Sequence, residues 1–229
     1  MRNTLVLAFA IVGLFLSGAS RAQATDLLFD YVGYDYEDPD PNSATFGEVG
    51  SGYIGVGFCP VLFAPLTPDT TVNEYTYQIG GLTSVTVTPV GSFLIIDYSG
   101  PGYLRVYEDD LGSGTNGTYG INPPNGSSPT SFNDGTLFLD GQITNFQVIL
   151  NTGTGSGSYE ATFMAVGGSQ LGNIPANQRD GWTFSGITSN ELNRPEGYEH
   201  QVDGQVFLDP PIAVEPTSWS RIKRDPRSN

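Results

Sequence analysis

From Asp26 to Asp209 the chain mostly alternates apolar and polar residues with a period of two, the longest irregular stretch being Leu111–Asn133. Tyr75, Tyr77 and Ile79 alternate with Glu74, Thr76 and Gln78. Val85 and Val87 alternate with Ser84, Thr86 and Thr88, and Leu104 and Val106 with Tyr103, Arg105 and Tyr107. Tyr159, Ala161, Phe163 and Ala165 alternate with Glu160, Thr162 and Met164. Successive side chains of a strand point to opposite faces, so this pattern specifies strands with one buried face and leaves no room for a long amphipathic helix. Phe93–Ile96 is apolar throughout and reads as a central strand covered on both faces. Gly80-Gly81, Ser99–Gly102, Asp134-Gly135, Asp140-Gly141, Gly153–Gly157, Asp180-Gly181 and Asp203-Gly204 read as turns. On that punctuation Thr136–Leu139 is a short strand and Gln142–Leu150 a longer one. Ser189–Arg194 reads as a short turn of helix stopped by Pro195. The expectation is an all-β fold, an antiparallel β-sandwich or jelly roll of about ten to twelve short strands, with helix only in the leader.

Met1–Ala24 has the order of a secretory signal peptide: Arg2, the apolar run Leu5–Leu16, then the small-residue site Ala22-Gln23-Ala24. The run is short for a membrane span of ~20 residues. No other segment approaches that length, so the mature chain is expected to carry no membrane span. The expected organisation is a signal peptide over 1–24, one β domain over 25–211 and a C-terminal tail over 212–229. The expected location is secreted, extracellular or at the cell surface.

The charge narrows the partners. The formal net charge is −15, and between Thr25 and Val214 only Arg105, Arg179 and Arg194 oppose 22 acids. Nucleic-acid binding needs clustered Lys and Arg, so it is excluded, and anionic membranes are equally poor partners. Divalent cations and neutral glycans are compatible with such a surface. Cys59 is the only cysteine, so no internal disulfide forms, and its apolar setting in GVGFCPVLF suits a buried, inert thiol.

Asp38-Pro39-Asp40-Pro41-Asn42 spaces oxygen ligands as the first half of a calcium loop does. Ser43 stands where the EF-hand needs glycine and Val49 where it needs glutamate, so the motif is not an EF-hand. A non-helical calcium site would draw on Asp35, Asp38 and Asp40, with Glu37 beside them, and calcium is the one candidate cofactor. Glu108-Asp109-Asp110 is a second acidic cluster, read as a polar loop start. Gly50–Gly55 matches G-x-G-x-x-G but leads into a strand, Tyr53–Phe58, where a dinucleotide site needs a helix. His200 is the only histidine, which leaves neither a hydrolase triad nor a zinc site a plausible set of ligands. The region holding Asp180, Trp182, Glu196, Glu199 and Asp203 is the richest for a glycosidase pair, but nothing singles out two carboxylates. No catalytic residue is assigned.

The run Tyr107–Gly168, with Gly181-Trp182-Thr183-Phe184 and Pro195–His200, resembles uncharacterised secreted bacterial β-sandwich proteins. Val214–Arg224 resembles a short Trp-and-basic tail of exported bacterial proteins. Glu215-Pro216 and Trp219 are similar to the start of a PEP-CTERM sorting signal, although the chain continues polar and basic where that signal has a hydrophobic helix. The resemblance implies export and no particular activity. The function expected is structural or adhesive and non-enzymatic, with a glycan or a cell-surface component as partner. The alternative is a carbohydrate-binding module, calcium-assisted, using Tyr31, Tyr34, Tyr36 and Tyr53 as stacking platforms.

Overall fold

A computed structural model describes residues 26–38, 47–112, 116–120, 129–191 and 193–208. The signal-peptide and tail assignments lie outside these residues. The strands are β1 (Asp26–Asp38), β2 (Gly52–Leu62), β3 (Asn73–Val90), β4 (Phe93–Ser99), β5 (Tyr103–Asp110), β6 (Thr136–Asn151), β7 (Ser156–Gly167), β8 (Trp182–Ser189) and β9 (His200–Leu208). Among the described residues there is no α-helix, only three short 3-10 turns, and no helix long and apolar enough to cross a membrane.

The sheet closes on itself. Each strand of the series β1-β2-β3-β5-β6-β7-β8-β9 pairs antiparallel with the next, and β9 returns to pair with β1. The result is an eight-stranded antiparallel barrel with one extra strand, not the sandwich or jelly roll expected. Period-two patterning is the same in both architectures; they differ in whether the edge strands meet. The extra strand, β4, lies in line with β5 between β3 and β6: β3 pairs with β5 over Asn73–Gly80 and with β4 over Thr83–Val90. Phe93–Ile96 is therefore flanked by strands on both sides, but it is not doubly covered, because Phe93 is 43% exposed.

Three Gly-containing turns expected from the sequence are instead mid-strand. Asp140-Gly141 lies within β6, which merges the two strands expected there. Asp203-Gly204 lies within β9, and Gly80-Gly81 within β3. The glycines make room for rings from neighbouring strands. Tyr31 stands opposite Gly204, Tyr77 opposite Gly57, Tyr103 opposite Gly80 and Tyr159 opposite Gly186. A ring folded over a strand glycine covers its backbone and permits the tight bend a small barrel needs. Residues 189–194 form no helix among those described.

An eight-stranded barrel is just wide enough for its own side chains to fill. Here the filling is aromatic. Tyr31 stacks on Phe184 with centroids 5.2 Å apart and meets Tyr77 edge-on at 5.1 Å. Phe163 stacks on Trp182 at 5.1 Å. Each such pair adds ~0.5–1.5 kcal/mol beyond the burial of its area. One end of the barrel is apolar and plugged by Ile174, fully buried. Arg179 clamps that plug, donating from Nε to the Ile174 carbonyl and from Nη2 to the Leu171 carbonyl, both at 2.9 Å. Among the outward positions of β7–β9, Glu160, Thr162, Thr183, Ser185, Asp203 and Gln205 are polar, while Val166 and Ile187 are apolar and exposed.

Candidate functional site

The other end of the barrel is charged. Along β1, Tyr31, Gly33, Asp35 and Glu37 are all buried at alternating positions, so the two carboxylates share the inward face with the core tyrosine. Along β9, His200, Val202, Gly204, Val206 and Leu208 do the same. Asp35 pairs with His200 across these strands. The Asp35 Oδ1 accepts the His200 backbone N–H at 2.8 Å and lies 3.1 Å from Nδ1 of the ring. Asp35 is 1% exposed and His200 7%. The Asp35 Oδ2 is buried with no hydrogen-bond partner among the described residues.

The backbone closes over this pair. Glu199 N–H donates to the Asp35 carbonyl at 2.9 Å. Gly47 N–H donates to Glu37 Oε1 at 2.9 Å. Ser84 bonds the 48–51 turn through its hydroxyl and both its backbone groups. Tyr53 and Tyr98 lie beneath, their rings 5.7 Å apart. Burial pulls the His200 pKa down, but the charge of Asp35 and its hydrogen bond outweigh that, and the net shift is upward. Burial raises the Glu199 pKa, as do Asp35 and Glu37, while His200 and Arg194 partly offset them. A carboxylate that orients a histidine is a feature of general bases. Here the pair is sealed from solvent, which suits holding a charge inside the barrel better than presenting it to a substrate.

The sequence candidates scatter. Asp35 is committed to His200; Asp38 ends β1, and Asp40 lies outside the described residues. Among the described residues, no three His, Cys, Asp or Glu side chains are placed to hold a metal ion. Tyr31, Tyr36 and Tyr53 are buried, and Tyr34 is half-buried against Tyr119 and Tyr198, so these rings offer no open stacking platform. Glu108 accepts from the Tyr75 hydroxyl at 2.8 Å and from Asn73, inside β5 and not at a loop start. Cys59 is buried, and burial pushes its thiol pKa well up. Trp182 lies in the apolar end, Glu199 at the charged mouth, and Asp203 on the outer face of β9, so the suspected glycosidase region is not one site.

Sequence reasoning missed the outer face. A groove of about 400 Å³ runs over β6, β7 and β8, lined by Gln147, Ile149, Ser158, Glu160, Ser185 and Ile187 with Gly186 in its floor. Ile187 is 60% and Ile149 37% exposed. Register continues the row: Ile95 opposes Ile149, Ile149 opposes Ser158, Ser158 opposes Ile187, and Ile187 opposes Asp203. A parallel row runs Asp97, Gln147, Glu160, Ser185, with the Gln147 amide donating to Asp97 at 2.7 Å. The groove is thus an aliphatic strip bordered by carboxylates. The signal available was Ile149 and Ile187 at outward parity of their strands. No family model, curated protein or solved structure matches the chain.

Proposed function

We propose that the protein is a secreted or cell-surface β-barrel with a structural or adhesive, non-enzymatic role, and that its working surface is the outside of the sheet. The observation that supports this is the filled interior. Tyr31, Tyr53, Tyr77, Phe146, Phe163, Trp182 and Phe184 are each at most 2% exposed, and they occupy the space where ligand-carrying barrels hold their cargo. At the mouth, Asp35 Oδ1 and Glu37 accept backbone N–H groups and Ser84 bonds the 48–51 turn. The outer strip of Ile149 and Ile187 is the kind of exposed apolar surface that marks contact with a partner.

The test is retention of the purified protein on extracellular or cell-surface material of the producing cells. Ile149→Asp/Ile187→Asp should lower the retained fraction while leaving the melting temperature unchanged. Turnover of a glycoside, ester or peptide substrate, abolished by Asp35→Asn, would sink the reading.

A further inference from the structure

We infer that the outer groove over β6–β8 docks a basic amphipathic helix of a partner polypeptide. The location rests on the outer-face reading above; the class of partner rests on charge, apolar spacing and the closed sheet. Ile95, Ile149 and Ile187 share one row across the strands, and exposed Asp203 ends it. Asp97 and Glu160 stand in the next row, on the same side of all three isoleucines. The lining of the groove contains no lysine or arginine. The basic residues of the described barrel are engaged elsewhere: Arg105 pairs with Asp140, Arg179 holds backbone carbonyls, and Arg194 donates to the Tyr198 carbonyl. An aliphatic row with carboxylates along one flank and at one end is complementary to an apolar stripe flanked by cations.

The closed sheet selects the form of that partner. An extended peptide binds a sheet by adding to a free edge, and β6, β7 and β8 are each paired on both sides. Contact on the outer face is therefore made by side chains alone, and the partner must satisfy its own backbone, as a helix does. The spacing fits. Neighbouring strands lie ~4.8 Å apart, which sets Ile149 about 5 Å from Ile95 and Ile187 about 10 Å further on. A helix laid along the row rises ~1.5 Å per residue, so apolar residues at i, i+3 and i+10 match those steps at about 4.5 and 10.5 Å. Adjacent rows on one face are ~7 Å apart, within reach of a long cationic side chain on the flank of the helix. A second barrel in the groove would instead bring carboxylates against carboxylates, and the formal net charge of −15 opposes it.

Fluorescence anisotropy of a labelled synthetic peptide with the full-length protein tests this. The probe is a helix of about fourteen residues, roughly four turns, with leucines at i, i+3, i+7 and i+10 and lysines along one flank. Saturable binding of one peptide per chain is expected. Ile187→Asp should weaken it about ten-fold, the change produced by ~1.4 kcal/mol of lost contact. Glu160→Gln should weaken it about three-fold and make it less sensitive to salt. Ile187 and Glu160 are exposed, so both variants keep their fold, and unchanged melting temperatures verify this. Equal binding by a peptide with the same leucines scattered around the helix, or by one with glutamates for the lysines, would overturn the proposal. So would a dimer of the protein alone, or saturable binding of the neutral glycan dextran, that Ile187→Asp abolishes. If retention on cell-surface material depends on Ile149 and Ile187 while no peptide binds, the helix partner falls and the outer-face reading stands. Retention indifferent to both isoleucines would bring down the outer-face reading itself.

Discussion

The hydroxyl of Tyr31 on β1 lies over the α-carbon of Gly204 on β9. A methyl group built at Gly204 would stand 2.2 Å from that oxygen and 2.6 Å from the Ser185 carbonyl. Nothing at that position can give way cheaply, since one neighbour is backbone and the other is a ring locked by Phe184. Gly204→Ala should therefore cost about 3 kcal/mol, at the upper end of overpacking penalties, or roughly 8 °C in melting temperature. Gly172→Ala, with nothing within 4 Å, is the control and should stay within ~0.5 kcal/mol. Equal melting temperatures for the two variants would remove the argument that strand glycines are seats for rings.

Tyr77 sets a different test. Its hydroxyl is buried over Gly33 with no hydrogen-bond partner among the described residues, so its oxygen has lost water without a replacement there. Tyr77→Phe should be neutral or stabilising by up to ~1 kcal/mol, because an unsatisfied buried polar group carries a desolvation cost. Chemical denaturation measures this; a loss above ~1 kcal/mol would mean the hydroxyl is satisfied.

The charged mouth predicts a pH dependence with a definite sign. The His200 pKa is raised in the fold, so its stabilisation is complete below the unfolded value and disappears as pH rises through the folded one. Glu199 is raised as well, and its contribution also falls with rising pH, beginning lower, near the ordinary carboxylate range. Stability attributable to these two groups should fall from mildly acidic to alkaline pH. Glu199→Gln should flatten the acidic portion of that fall and His200→Gln the portion above pH ~6.5. A melting-temperature profile unchanged by either variant would refute the assignment.

Removing one member of the buried pair tests its structural weight. Asp35→Ala leaves His200 facing a closed mouth without its counter-charge and should cost about 3–5 kcal/mol, as one-sided removal of a buried partner does. The same substitution at exposed Asp26, at the start of β1, should change stability by less than ~0.5 kcal/mol. Thermal or chemical denaturation of the two variants side by side measures the difference.

Outside the barrel, the Tyr198 hydroxyl donates to the Tyr119 carbonyl at 2.5 Å. It joins the 190–199 connection to the 111–135 connection over the face of β1 and β2, where Phe132 is fully buried. Tyr198→Phe should cost about 1 kcal/mol. It should also speed proteolysis within 111–135 while cleavage elsewhere stays unchanged.

The strands were legible because their alternation is local: β5 and β7 fall where Tyr103–Tyr107 and Tyr159–Ala165 alternate. Closure was not, because the pairing of Asp26 with Leu208 joins residues from opposite ends of the described chain. Asp140-Gly141 and Asp203-Gly204 carry turn chemistry, but pairing with strands on both sides keeps them extended, and the rings of Phe163 and Tyr31 lie over their glycines. The mouth was within reach. Counting by twos from Tyr31 puts Asp35 and Glu37 on the core face, and counting back from Val206 puts His200 there. Reading the acids as a ligand loop and the tyrosines as a sugar platform set that parity aside.

The pairing of Asp26 with Leu208 has a mechanical consequence. β1 and β9 run antiparallel, so both strands leave the barrel at the same end and side by side. A load pulling these two ends apart acts across the ladder, and its hydrogen bonds break in succession. Held at both ends, the barrel yields like a zip at low force. Anchored through one end alone it bears no such load, so a tether at either terminus leaves the fold intact while its outer face stays presented.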